Sequence, residues 1–345
     1  MADMYDDKER GIPMSLFSIS TLEGGAIYPL IFGFVVEKVD DGYRWTEYIQ
    51  LIVAFVWFFT IITMGETRPS AILARKARKL RKKTGDNPYI AKCELERPKL
   101  GELFKRSSTK AIYLMVTEPI IISFCLWMGF AWMVFYCLIS SISHLMSNLR
   151  GWSPYQIGLC YITFIIGLGL GWLWNFFVQE KWYQRRPGIP ESRLYTAMIA
   201  GVTLAVGCFI YGWTSYSHVH WMGQMVGLVI TLFSIFAVYN ASFNYMSDAY
   251  GSHASSAIAA QNTFRNVLGG ITPLFIIQWY DGLGFRWTSF MIGMIALALS
   301  SIPFILFKFG PKIRNKSKFA SEVAYKESLG VADEKDSTDA IKEYS

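Results

Sequence analysis

Apolar runs of about twenty residues recur along this chain. A helix rises ~1.5 Å per residue and the hydrocarbon core of a bilayer is ~30 Å thick, so such a run is what one membrane crossing requires. Eight stretches qualify: 13–36, 46–65, 111–139, 156–178, 194–214, 221–246, 254–279 and 287–307. The first and seventh are the most polar, containing Glu23 and Arg265 among several Ser, Thr, Asn and Gln residues. The pattern predicts an all-α membrane protein with about eight transmembrane helices. One long polar interruption, 66–110, separates the second run from the third.

Composition and charge sharpen this picture. Charged residues are 17% of the chain, against ~25% in soluble domains, and most sit in the central interruption and the C-terminal tail. If the N-terminal segment is cytoplasmic and the spans alternate, residues 66–110 carry 14 of the 33 Lys and Arg, while the four outward loops together carry 4. Cytoplasmic loops are enriched in Lys and Arg, so both termini are predicted to be cytoplasmic. The same segregation accounts for the net charge of +7 without a nucleic-acid partner; the expected partners are the lipid bilayer and a small-molecule substrate. In the central loop, PSAILARKARKLRKKTG places Leu73, Ala77 and Leu80 on one helical face and seven basic residues around the rest. This is either a helix lying on the anionic inner leaflet or a solvated run of charge. The polar tail after Ala320 is expected to be disordered.

Polar groups inside apolar runs mark candidate chemistry. Arg265 lies ~16 Å into its span, where a charge needs a partner or a wet cavity. Gln261 and Asn262 precede it by about one turn, and Glu23, Asn240 and Asn244 are candidate partners on other helices. Arg265, Gln261, Asn240, Asn244, Tyr239, Trp127, Tyr136 and Glu23 form the expected substrate or proton pathway. Gly167 with Gly171, and Gly223 with Gly227, have the GxxxG spacing that lets helices approach closely. Gly24, Gly25, Pro29, Gly33, Gly269, Gly270 and Pro273 predict bent helices. The five cysteines have no metal-binding spacing, and His218 and His220 read as loop residues. No phosphate-binding loop or hydrolase motif is present, so no cofactor, no bound metal and no enzymatic activity are expected.

Several segments resemble one family. GETRPSAILARKARKLRKKTGD is similar to the long central loop of fungal major facilitator superfamily transporters of the twelve-span drug:proton antiporter and polyamine exporter type. TEPIII is similar to the Glu-Pro entry of their seventh helix, DGYRWTEYI to the loop entering the sixth, and FKFGPKIRNKSKFA to the closing motif. The most specific match is YNASFNYMSDAYGSHASSAIAAQNTFRNVLGGITPLF, which resembles their tenth-to-eleventh-helix segment. The resemblance implies that the eight spans correspond to helices five to twelve, with the first four lacking. Residues 1–65 would be the last two helices of an incomplete N-terminal half, 66–110 a cytoplasmic basic linker, 111–310 a six-helix C-terminal half and 311–345 a cytoplasmic tail. GGAIYPLIFG stands where the family carries its helix-five antiporter motif: Gly24, Pro29 and Gly33 match, whereas Gly25 replaces a Pro, and Tyr28 and Phe32 replace Gly.

The resemblance implies export of drug-like or cationic organic molecules across the plasma membrane, coupled to protons. The alternative is a non-transporting remnant, or a subunit that assembles with another transporter half.

Overall fold

In the computed structural model, residues 11–67, 69–84, 90, 100–186, 189–317 and 319–321 are described, and their regular structure is entirely helical. Lipid offers backbone groups no hydrogen-bonding partner, and a helix satisfies them internally. The helices in chain order are α1 (Gly11–Lys38), α2 (Gly42–Thr63), α3 (Pro69–Thr84), α4 (Leu100–Thr117), α5 (Pro119–Arg150), α6 (Pro154–Cys160), α7 (Ile162–Trp174), α8 (Glu180–Gln184), α9 (Tyr195–Trp213), α10 (Met222–Tyr250), α11 (Ala254–Leu299) and α12 (Ser301–Lys316). A π-helical turn, Asn175–Gln179, joins α7 to α8, and a 3₁₀ turn, Pro190–Leu194, leads into α9.

Seven segments are long and apolar enough to cross a membrane. The last, Ala254–Lys316, is 63 residues long; laid straight it would measure ~95 Å, three times a hydrocarbon core. It is broken at Gly284, whose φ of 80° and ψ of 157° are not helical. The chain reverses there: the Thr288 hydroxyl donates to the Trp279 carbonyl at 3.1 Å, although residues nine apart in a straight helix lie ~13 Å apart. Only glycine enters this backbone region without strain. The segment therefore supplies two of the eight expected crossings, 254–279 and 287–307.

The third expected run, 111–139, is corrected in both bounds. Glu118 has extended backbone (φ −96°, ψ 111°) ahead of Pro119, because the proline ring disfavours a helical residue before it. A separate helix, α4, ends at Thr117, and α5 continues to Arg150, where Gly151 caps it with φ 62°. Thus α4 crosses the expected linker boundary at 110. Residue 69 begins a helix, and α3 leaves Leu73 and Leu80 exposed and Ala77 partly covered. The expected disordered tail lies outside the described residues beyond 321.

Helices meet at small residues. A Cβ on Gly227 of α10 would stand 2.6 Å from the Tyr211 amide of α9, and one on Gly171 of α7 would stand 2.8 Å from the Phe236 ring of α10. On α1, a Cβ at Gly33 would come within 2.7 Å of the Pro154 carbonyl and 3.1 Å of the Gly158 Cα. The α1–α6 seam is extended by Glu37, which accepts from the Tyr155 amide at 2.8 Å. The Ser153 side chain, and then that amide, hold the Glu37 carboxyl below its ordinary range. A lowered carboxylate pKa makes this contact present at neutral pH and lost as pH falls through the lowered value. Not every glycine is a contact: Gly24, Gly169 and Gly270 have open space where a Cβ would go.

This predicts a contrast. Gly227→Leu forces overpacking and should cost about 1–3 kcal/mol, read as a lower thermal midpoint in detergent. Gly169→Ala should gain about 0.5–1 kcal/mol from helix propensity.

Candidate substrate pathway

Arg265 is positioned by α11 and by the glycine one turn after it. At Gly269 a Cβ would stand 2.7 Å from the Tyr136 ring and 2.9 Å from Trp132, so the missing side chain lets α5 bring those aromatics against α11. The Trp132 ring then lies under the guanidinium, with its centroid 4.2 Å from Cζ. Tyr239 of α10 stacks on Trp132 at 5.4 Å and has its own centroid 5.1 Å from Arg265 Cζ. Tyr136 completes the aromatic group at 6.3 Å from Trp132. A cation over an aromatic face is attracted by the ring quadrupole, more strongly when desolvated. Arg265 is only 7% exposed.

Its hydrogen-bonding capacity is unused. Nε and Nη1 are sealed from solvent without a partner, as are both side-chain polar atoms of Gln261, which is fully buried one turn away. Of the expected pathway residues, Arg265, Gln261, Tyr239 and Tyr136 therefore gather in one place. Trp132, which sequence reasoning passed over among 12 tryptophans, is the residue that joins them.

The other expected residues are elsewhere, and the expected partners of Arg265 are corrected. Asn240 donates to Asn175 Oδ1 at 2.7 Å, and Asn244 donates to the Asn240 carbonyl at 2.9 Å and to its Oδ1 at 3.1 Å. Both asparagines face α7 and its π turn instead of Arg265. Glu23 on α1 is half-buried and makes no hydrogen bond or ion pair among the described residues. Trp127 is fully buried beside Phe124. The motif residues Pro29 and Gly33 line a different space, a cleft of about 690 Å³ between α1, α2, α5 and α6 that also includes Tyr28, Glu47, His144 and Tyr161. There His144 Nε2 and Asp281 Oδ1 lie 2.7 Å apart.

A second charged centre was not read from sequence. Arg193 donates to Glu180 Oε2 and to Asp248 Oδ2, each at 3.1 Å, with all three side chains at most 6% exposed. Its guanidinium also covers the Tyr183 ring at 3.3 Å. Beside it Arg314 donates to Glu191 Oε2 at 3.0 Å, and Tyr250 donates to Glu118 Oε2 at 3.3 Å. Gln179 donates to the Ser192 carbonyl and accepts from the Thr196 amide, each at 2.9 Å, tying the turn before α9 to the π segment. Apart from Glu118, which falls inside the expected run 111–139, these charges lie at helix ends or in turns that hydropathy alone assigns to the aqueous side.

Comparison with known proteins adds an independent finding. A sequence profile of the Major Facilitator Superfamily matches residues 1–273. The chain is similar to the MFS-type transporter paaT of Penicillium rubens, 34% identical over 327 residues that cover 93% of this chain and 59% of that protein. It is similar to the efflux pump FUB11 of Gibberella fujikuroi, 32% identical with 94% and 57% covered. It is also similar to the MFS-type efflux pump MFS2 of Trichophyton rubrum, 30% identical with 93% and 55% covered. The chain thus spans somewhat under three fifths of the length of these relatives.

The charged centre yields a prediction. Arg193→Met removes the cation that Glu180 and Asp248 share and should cost about 3–5 kcal/mol, as loss of one partner from a buried ion cluster does. Arg44→Ala, which removes an exposed pair with Asp41 at 3.6 Å, should cost under about 1 kcal/mol. Chemical denaturation of the purified protein compares the two.

Proposed function

The chain belongs to the Major Facilitator Superfamily, and on that premise we propose that it takes part in proton-coupled export of small, drug-like organic molecules along the Arg265 region where α5, α10 and α11 meet. The carrying observation is the Arg265 group: a charge held deep in a span beside unpartnered amide groups, among aromatic rings. Such groups are costly in lipid and accompany substrate and ion pathways. Similarity to proteins described as efflux pumps supports the outward direction. Proton coupling would use carboxylates within or bordering spans, such as Glu23 and Glu118. The charge segregation supports an orientation with the basic loop on the cytoplasmic side, and the proposal places the chain in the plasma membrane.

A second reading, a subunit completed by another helical bundle, is favoured by one feature. Only Gly42 and Thr46 of α2 are buried, while Leu51, Phe55, Trp57, Phe58 and Ile62 are each about half to two-thirds exposed.

Efflux of labelled aromatic compounds from cells expressing the full chain tests transport. Efflux should exceed that of empty cells, should stop when a protonophore collapses the gradient, and should fall about tenfold or more in Arg265→Ala, the loss of at least one charge-assisted contact. Efflux equal to empty cells despite correct membrane insertion rejects transport by this chain alone.

A further inference from the structure

Most buried charges of the described residues have a hydrogen-bonded partner of their own. Glu180 and Asp248 are held by Arg193, Glu191 by Arg314, and Glu118 by the Tyr250 hydroxyl. Of the two arginines buried among the described residues, Arg193 and Arg265, Arg265 is the one with no carboxylate beside it, and its Nε and Nη1 have no hydrogen-bond partner. Arginine does not lose its proton in proteins, so this positive charge persists in every state of the site.

We propose that Arg265 is the anchor of an anion-binding site, and that the cargo is an organic anion, a carboxylate on an apolar or aromatic body, and not a cation. Three observations converge on this class. The guanidinium face is occupied by Trp132 and, more distantly, Tyr239, which leaves its N–H edge as the reactive feature. That edge is a planar fork matched to a carboxylate's two oxygens. Gln261 contributes an amide N–H that has no acceptor, one helical turn from the fork. The surrounding rings of Trp132, Tyr136 and Tyr239 supply apolar contact for the body of the ligand. A cation entering the same place would meet like charge in a medium of low dielectric, which is repulsive. The proposal rests on the transport reading for its consequence, that the bound anion is cargo.

The test uses the full chain purified in detergent, with radiolabelled benzoate in equilibrium dialysis and benzylammonium and benzyl alcohol as competitors of matched shape. Benzoate should bind saturably, and unlabelled benzoate should displace it, whereas benzylammonium and benzyl alcohol should not. Arg265→Gln should weaken benzoate about tenfold or more, the worth of one charge-assisted hydrogen bond. Should that variant not fold, as judged by helical circular dichroism and monodisperse elution, Arg265→Lys decides. It keeps the charge, loses the fork, and should still bind about tenfold more weakly. Displacement by benzylammonium equal to that by benzoate, unaltered affinity in either folded variant, or no saturable benzoate binding by the folded parent chain would each overturn the proposal. Benzoate binding without any export from cells would instead reject the transport reading and leave the anion site standing. Export that favours the ammonium compound would reject the anion site and leave transport standing.

Discussion

Lipid tails are as apolar as leucine, so nothing like the hydrophobic effect presses one spanning helix against the next. Association depends on how closely backbones can approach, and this bundle is organised around the positions where they can. Gly227 meets the backbone of α9, Gly171 takes the ring of Phe236, Gly33 and Gly158 bring α1 onto α6, and Gly269 admits Trp132 and Tyr136. The last of these contacts does more than pack. By letting an indole lie flat beside α11, it provides the surface on which Arg265 rests, so a packing device and the candidate site share one residue.

Charge is handled in two contrasting ways. Around Arg193 the structure balances opposite charges at hydrogen-bonding distance, and the cluster holds together the π segment, the 3₁₀ turn and the end of α10. Around Arg265 it offers only aromatic faces. Cation–π contact is worth ~2 kcal/mol when desolvated, less than the several kcal/mol that burying an ion costs. The first arrangement closes on itself. The second remains short of a counter-charge until something brings one in.

Much of the fold was legible because bilayer thickness fixes the length of an apolar run. Seven of the eight stretches appear at nearly their expected positions, and the displaced one, 111–139, moved for a reason present in the sequence: a proline at 119 forbids the helix that hydropathy alone continues through Glu118. The site was partly legible. Depth singled out Arg265, and helical spacing placed Gln261 beside it. Depth could not say which way a side chain on another helix points, and Asn240 and Asn244 turn toward Asn175 instead. Trp132 was hidden because an apolar run rich in aromatics gives one tryptophan no distinguishing mark. The Arg193 cluster was hidden because Arg193 meets Asp248 across 55 residues of sequence, and each member taken singly resembles an ordinary loop charge.

The π turn at Asn175–Gln179 carries a consequence for how this chain tolerates change in length. An α-helix advances ~40° around its axis for every four residues, so Gly171, Asn175, Gln179 and Tyr183 would spiral off a common face. The wider turn takes up that drift, and Gly171, Asn175, Gln179 and Tyr183 are all buried. It has the form of a helix that has absorbed one additional residue. Shortening the segment by one would not merely trim it: everything beyond would swing by ~100°, carrying Glu180 away from Arg193 while leaving every residue upstream in place. The five residues Asn175–Gln179 thus act as the gauge that sets the angular phase between the membrane-embedded helix and the charged assembly at its end.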